Sequence, residues 1–143
     1  MGDHYEAVFS CFLRDDTPDS VLAALRWHLG LESQEPEGLD PEDHPYQLLV
    51  PNHNSRLPGG DMVFLRRTAQ ESTPSGARYE WELFARCYWV DDCLLQLDAL
   101  LSLIAPHAAR AGYAGHIRDE YGTGMQLFTF HDGTYDPVDL RHT

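Results

Sequence analysis

The sequence predicts an α+β fold: a two-layer sandwich of ferredoxin-like character, with a mainly antiparallel sheet of about five to six strands and two helices on one face. Three observations predict it. Short alternating apolar and polar segments recur along the chain, and two apolar stripes at helical spacing interrupt them. The connections between neighbouring strands are short enough to favour antiparallel pairing. At 143 residues the chain fits one domain, 1–143, with a single core.

Each element has its own reason. Residues 5–14, YEAVFSCFLR, alternate. Tyr5, Ala7, Phe9, Cys11 and Leu13 share one face, and Glu6, Val8, Ser10, Phe12 and Arg14 share the other. A helix follows, where Thr17 or Asp16 is placed to cap, Pro18 suits the first helical position and Gly30 is placed to end it. Val21, Leu22, Leu25 and Leu29 form its stripe. Residues 30–45 carry six carboxylates and no Arg, with Pro and Gly interspersed, so the long 31–60 segment starts as an acidic loop. YQLLV (46–50) fits either a short strand or a packed flap. MVFLRR (62–67) is predicted to pair with 78–90 across a loop holding ESTPSGA. Asp91 or Asp92 is placed to cap a second helix striped by Leu94, Leu97, Leu101 and Ile104, and Pro106 should kink or end it. Residues 113–130 read as a hairpin about EYGTG, and Asp132-Gly133 marks a further turn.

The segment 78–90 poses the functional question. Tyr79, Trp81, Leu83, Ala85, Cys87 and Trp89 make a nearly apolar face for the helices. The other face still carries Phe84, Tyr88 and Val90 between charges. Phe12 on the first strand, and Phe128 and Phe130 on the last, are assigned to this second face as well. An ordinary two-layer sandwich leaves that face wet and polar. A contiguous aromatic patch there needs a cover: the 31–60 segment folded back, a second copy packed sheet to sheet, or a ligand or foreign protein. Phe12, Phe84, Tyr88, Phe128 and Phe130 are therefore the expected partner or dimer surface.

Charge narrows the partners. The net charge of −13 comes from 23 acids against 10 bases, all of them Arg. That field repels phosphate backbones and favours a basic protein, with the acidic run 32–43 at the rim of the docking face. The absence of Lys removes Schiff-base and Lys general-base chemistry from this chain. No apolar run reaches membrane-spanning length, and the start MGDHYEAVFS lacks signal-peptide regions, so a cytoplasmic protein without membrane contact is expected.

Catalytic and metal motifs are not found. Cys11 and Cys87 fit buried small hydrophobes, and Asp91 and Asp92 oppose a reactive thiolate at Cys93. The eight histidines are scattered without ligand spacing, His142 in the tail among them, so neither metal nor cofactor is expected. The loop NHNSR followed by PGGD offers one ligand alternative. There His53, Asn54 and Arg56 would bind a small anion, in a pocket between the sheet and the 31–60 segment. His116 or His131 would add polar groups to it.

The stretches LRDDTPDSVLAALRWHLGL, LDALLSLIAP and GYAGHIRDE resemble a family of small bacterial single-domain α+β proteins of uncharacterised function. Leu103 stands where that family has Trp. The resemblance implies one α+β domain and no activity. The expected function is a non-enzymatic interaction protein of immunity or regulatory type. Its rivals are a homodimer, or a small-ligand binder or enzyme whose pocket lies between the sheet and the 31–60 segment.

Overall fold

The computed structural model describes residues 4–122 and 124–141; His142 lies outside them. The chain is α+β. β1 (His4–Arg14) leads to helix α1 (Asp19–His28), then β2 (Met62–Thr73) and β3 (Gly76–Val90). Helix α2 (Leu97–Ile104) follows, then β4 (Gly112–Asp119), β5 (Gly124–His131) and β6 (Thr134–Arg141). Every pairing is antiparallel, and the order across the sheet is β2-β3-β1-β4-β5-β6.

Register divides the residues. β1 pairs with β3 from His4↔Val90 to Arg14↔Glu80, so Ala7, Phe9 and Leu13 share a face with Cys87, Ala85 and Trp81. One buried cluster joins Ala7, Phe9, Leu13, Leu83, Ala85 and Trp89 to Leu25 and Leu29 of α1 and to Leu100, Leu101 and Ile104 of α2. Each large side chain so buried stabilises the fold by about 1.5–3 kcal/mol.

Phe128 and Phe130 belong to this cluster, 0% and 2% exposed, and not to the second face. Phe128 stacks on Phe9 with ring centroids 6.2 Å apart. The reason is register: Phe9 pairs with Gly115 of β4 and Gly115 with Phe128 of β5, so Phe128, and Phe130 two residues on, take the face of Phe9. β4 itself bulges between Tyr113 and Gly115, which turns Tyr113 to the second face opposite Thr129. Gly115 is required there: it has φ +153, and a Cβ would lie 2.1 Å from the Val8 carbonyl oxygen. Met125 and Leu127 consequently take the second-face positions, opposite Leu140 and Val138.

The helix ends differ from expectation at their starts. The Pro18 carbonyl accepts from Val21 N–H, and the Thr17 hydroxyl bonds back to Arg14 O, so Thr17 does not cap. Gly30 does end α1, at φ +77, with Leu31 N–H reaching Arg26 O. Asp91–Gln96 forms 3-10 turns before α2, and no side chain caps them. The Asp91 carboxylate instead accepts from the Tyr5 hydroxyl at 2.8 Å. α2 stops before Pro106, as its ring requires. The sixth strand is β6, reached by a turn with Asp132 and Gly133 both at positive φ, while YQLLV is a flap.

That flap is fastened by a buried histidine pair. Leu48 N–H donates to His28 Nδ1 at 3.2 Å, which leaves the proton on Nε2 to face His44 Nδ1 at 3.0 Å. Leu49 N–H reaches His28 O, and the Trp89 indole donates to Leu48 O. Burial, then the neighbouring His44, brings His28 down to about 4, while burial lowers His44 against the pull of Asp43, Asp40 and Glu35. A ring kept neutral in the fold contributes stability above its ordinary value of 6.5, and that contribution fades as pH falls toward 4. His107 acts in the same direction, and His131, raised by Asp136, in the opposite one. Urea unfolding from about pH 7.5 to about pH 5 should lose about 2 kcal/mol through His28. His28→Leu should flatten that slope while lowering stability throughout, because Leu48 N–H loses its acceptor. An unchanged slope in the variant would refute the neutral clasp.

Candidate functional site

The second face of the sheet is built from the even-numbered residues of β1 and β3, the residues of β2 paired with them, and their counterparts on β4 to β6. Phe12, Phe64 and Phe84 lie on it half-buried. They line a groove of about 270 Å³ with Ser10, Glu82, Arg110 and Tyr113. Phe64 and Phe84, directly opposite across β2 and β3, stack at 5.7 Å.

Guanidinium groups cover these rings. Arg110 sits 4.5 Å above Phe12, Arg66 sits 4.4 Å above Phe64, and Arg56 sits 5.5 Å above Tyr88. Each such contact gives about 0.5–1 kcal/mol at an exposed site. Tyr88 is the most enclosed, since His4 stacks on its ring at 4.8 Å. Its hydroxyl accepts from Arg56 Nε at 2.8 Å and donates to Glu120 at 2.9 Å.

Carboxylates on the same face hold the guanidiniums. Glu6, only 8% exposed, receives Arg86 Nε at 2.8 Å, Arg118 Nε at 3.1 Å and His116 Nε2 at 3.3 Å. Burial pushes the Glu6 carboxyl up, but the bonds from Arg86 and His116 and the charges of Arg118 and Arg86 outweigh it and hold the group below its ordinary range. Glu80, 6% exposed, receives Arg78 at 2.7 Å and Arg110 at 2.5 Å, and Glu82 receives Arg66 at 3.2 Å. Arg56, Arg66, Arg78, Arg86, Arg110 and Arg118 thus meet Glu6, Glu80, Glu82 and Glu120 here. This face is close to charge-balanced within a chain of net charge −13.

The acids of the 32–43 run lie elsewhere. They are exposed, and residues 36–39 line a separate cleft with Val21 and Ala24 of α1 and Leu103 of α2. The run is therefore not the rim of the aromatic groove. Only the end of the 31–60 segment reaches the second face, where Pro58 O and Gly60 O accept from Arg86 Nη1 and Arg56 meets Tyr88.

Of the residues singled out from sequence, Phe12, Phe84 and Tyr88 share the second face, while Phe128 and Phe130 are core. His53 and Asn54 are exposed in a turn in which Asn52 Oδ1 accepts Asn54 N–H at 2.8 Å. Arg56 turns away from them toward Tyr88, so the three do not converge. His131 is held by Asp136 on another strand. Phe64, Arg110 and Tyr113 were not legible as site residues, and His116, expected beside the 31–60 segment, stands instead on the second face against Glu6. Phe64 lay in an alternating segment read only for pairing, and Arg110 sits in a connection without periodicity.

Tyr113 hydroxyl, His116 and Glu6 form a chain at 2.8 Å and 3.3 Å, but two arginines hold its carboxylate. Burial, and then Glu6, raises the Tyr113 phenol, which makes it a poor nucleophile. Burial pushes Cys11 and Cys87 up to about 12 and raises Cys93, with Asp92 adding to the last, so these thiols are protonated at neutral pH. Among the described residues no group of three or more His, Cys, Asp or Glu side chains is arranged to hold a metal ion. Replacing the carboxylate that ties three strands together should be costly. Glu6→Gln is expected to lower unfolding free energy by about 1–3 kcal/mol, measured in urea, because Arg86 and Arg118 lose their charged acceptor. A neutral result would mean that these pairs are ordinary surface contacts.

No protein-family model matches the chain, and no curated protein or solved structure matches it. The resemblance drawn from the sequence rests on its own motifs.

Proposed function

We propose that the protein is a non-enzymatic interaction domain that takes a protein partner on the second face of its sheet. In this reading β1–α1–β2–β3–α2–β4 is a ferredoxin-like unit with both helices on one face, extended by the β5–β6 hairpin. The strand order β2-β3-β1-β4 and the single core joining both helices support it. The observation that carries the function is the aromatic groove of about 270 Å³, large enough for one anchoring side chain. Beside it the face becomes aliphatic: Val138 and Leu140 are 42% and 47% exposed, opposite Leu127 and Met125. Apolar surface of this kind, rimmed by polar groups, is typical of docking sites.

The partner's charge follows from the rest of the molecule. A net charge of −13 attracts a basic protein and repels nucleic acid. No helix among the described residues is long and apolar enough to cross a membrane. Because the acidic run lies away from the groove, steering and anchoring use different surfaces: the loop speeds encounter and the rings hold.

N-acetyl-tryptophanamide and N-acetyl-leucinamide stand in for a partner's anchoring residue. Titrated into the isotope-labelled protein, they should shift the amide resonances of Ser10, Phe12, Phe84 and Tyr113, with a dissociation constant of about 1–10 mM. Phe84→Ser should abolish the shifts with the fold retained. No response in the groove, or one confined to Val21 and Leu39, would end this reading.

A further inference from the structure

The two edges of the sheet are not equivalent. An edge strand presents unpaired backbone N–H and C=O groups, and proteins that stay monomeric blunt such edges with proline, charge or shortness. β6 has these defences: it is eight residues long, carries Pro137 at its centre and places Asp136 and Asp139 beside it. β2 has few. It runs for twelve residues without proline and has an apolar stretch, Val63-Phe64-Leu65, near its start. Among the described residues, no backbone group of Met62–Thr73 is bonded outside the hairpin with β3. Its first part, Met62–Arg67, carries no carboxylate, and the two charges there, Arg66 and Arg67, are already held by Glu82 and Asp15.

We propose that β2 is a self-association edge: two copies of this chain pair β2 to β2, antiparallel, into one continuous sheet. The two-fold axis stands perpendicular to the sheet within Val63–Leu65. Self-pairing fits this strand for a specific reason. An axis at Arg66 or Arg67 would set like guanidiniums opposite each other, which destabilises a cross-strand pair. An axis at Phe64 or Leu65 instead sets Arg66 opposite Met62 or Phe64 of the second copy. Arg66 already lies on Phe64 within one chain, so that contact is one these side chains make. The bulge between Ala69 and Glu71 disturbs the strand beyond, which confines flat pairing to its first part. The arrangement is isologous and closes on itself. It leaves the aromatic groove on the same face of both copies, and it does not depend on what occupies that groove.

Sedimentation equilibrium from about 1 µM to about 1 mM, with hydrogen exchange at both ends, tests this. The expected mass rises from 16.2 kDa toward twice that value. Alternate amides within Met62–Thr68, fast when dilute, should become protected on concentration. Phe64→Arg should weaken association about tenfold or more, with circular dichroism unchanged. A chain that stays monomeric throughout overturns the proposal. So does a dimer whose concentration-dependent protection falls on the sheet face or the helices, since that dimer uses another surface. Should Phe64→Arg fail to fold, the wild-type protection pattern decides.

Discussion

The pairing of β1 with β3 governs the molecule. Its register runs unbroken from His4↔Val90 to Arg14↔Glu80 and sends every side chain of both strands to one face or the other. Phe9, Leu13, Leu83, Ala85 and Trp89 go to the core with the helices. Glu6, Phe12, Glu82, Phe84, Arg86 and Tyr88 go to the opposite side, and no slip of one residue is tolerated because it would bury the charges and expose the core. β4 then adds to the other side of β1, and the row Phe9↔Gly115↔Phe128 decides which residues of β5 join the core.

A sheet with large side chains on both faces needs two kinds of stabilisation. The core face has ordinary close packing. On the second face, rings are covered by guanidiniums, and the guanidiniums are held by carboxylates on neighbouring strands. Arginine suits this role because its flat, weakly hydrated head lies on a ring while its edge still bonds a carboxylate. The arrangement answers how aromatic residues stand on this face without a second layer. It leaves a groove between Phe12, Phe64, Phe84 and Tyr113.

Charge is sorted by layer as well as by number. The second face concentrates arginine and balances it, while exposed carboxylates gather on the 31–45 loop beside α1. In the proposed reading, such separation would let long-range attraction of a partner and its short-range anchoring vary independently. The buried His28–His44 clasp fixes the far end of that loop to the core, so the loop is tethered where it enters the fold.

Sequence by itself determined the elements whose signals are local: the alternation of β1 and β3, the helical stripes, the Gly30 stop, the Pro106 break and the Asp132-Gly133 turn. These depend on the chemistry of one to four neighbouring residues, so they are legible without neighbours in space. It also placed Phe12, Phe84 and Tyr88 on one surface, because period-two alternation within a strand states which residues travel together. Only the tertiary structure decided which side each strand turns inward. Phe128 and Phe130 share a face with each other in either case, but the pairing of β5 with β4, and of β4 with β1, places that face in the core. Arg110, Tyr113 and His116 likewise reach the second face only through contacts between distant segments, which no spacing along the chain records. Alternation fixes relative orientation within a strand, whereas absolute orientation is a property of register between strands.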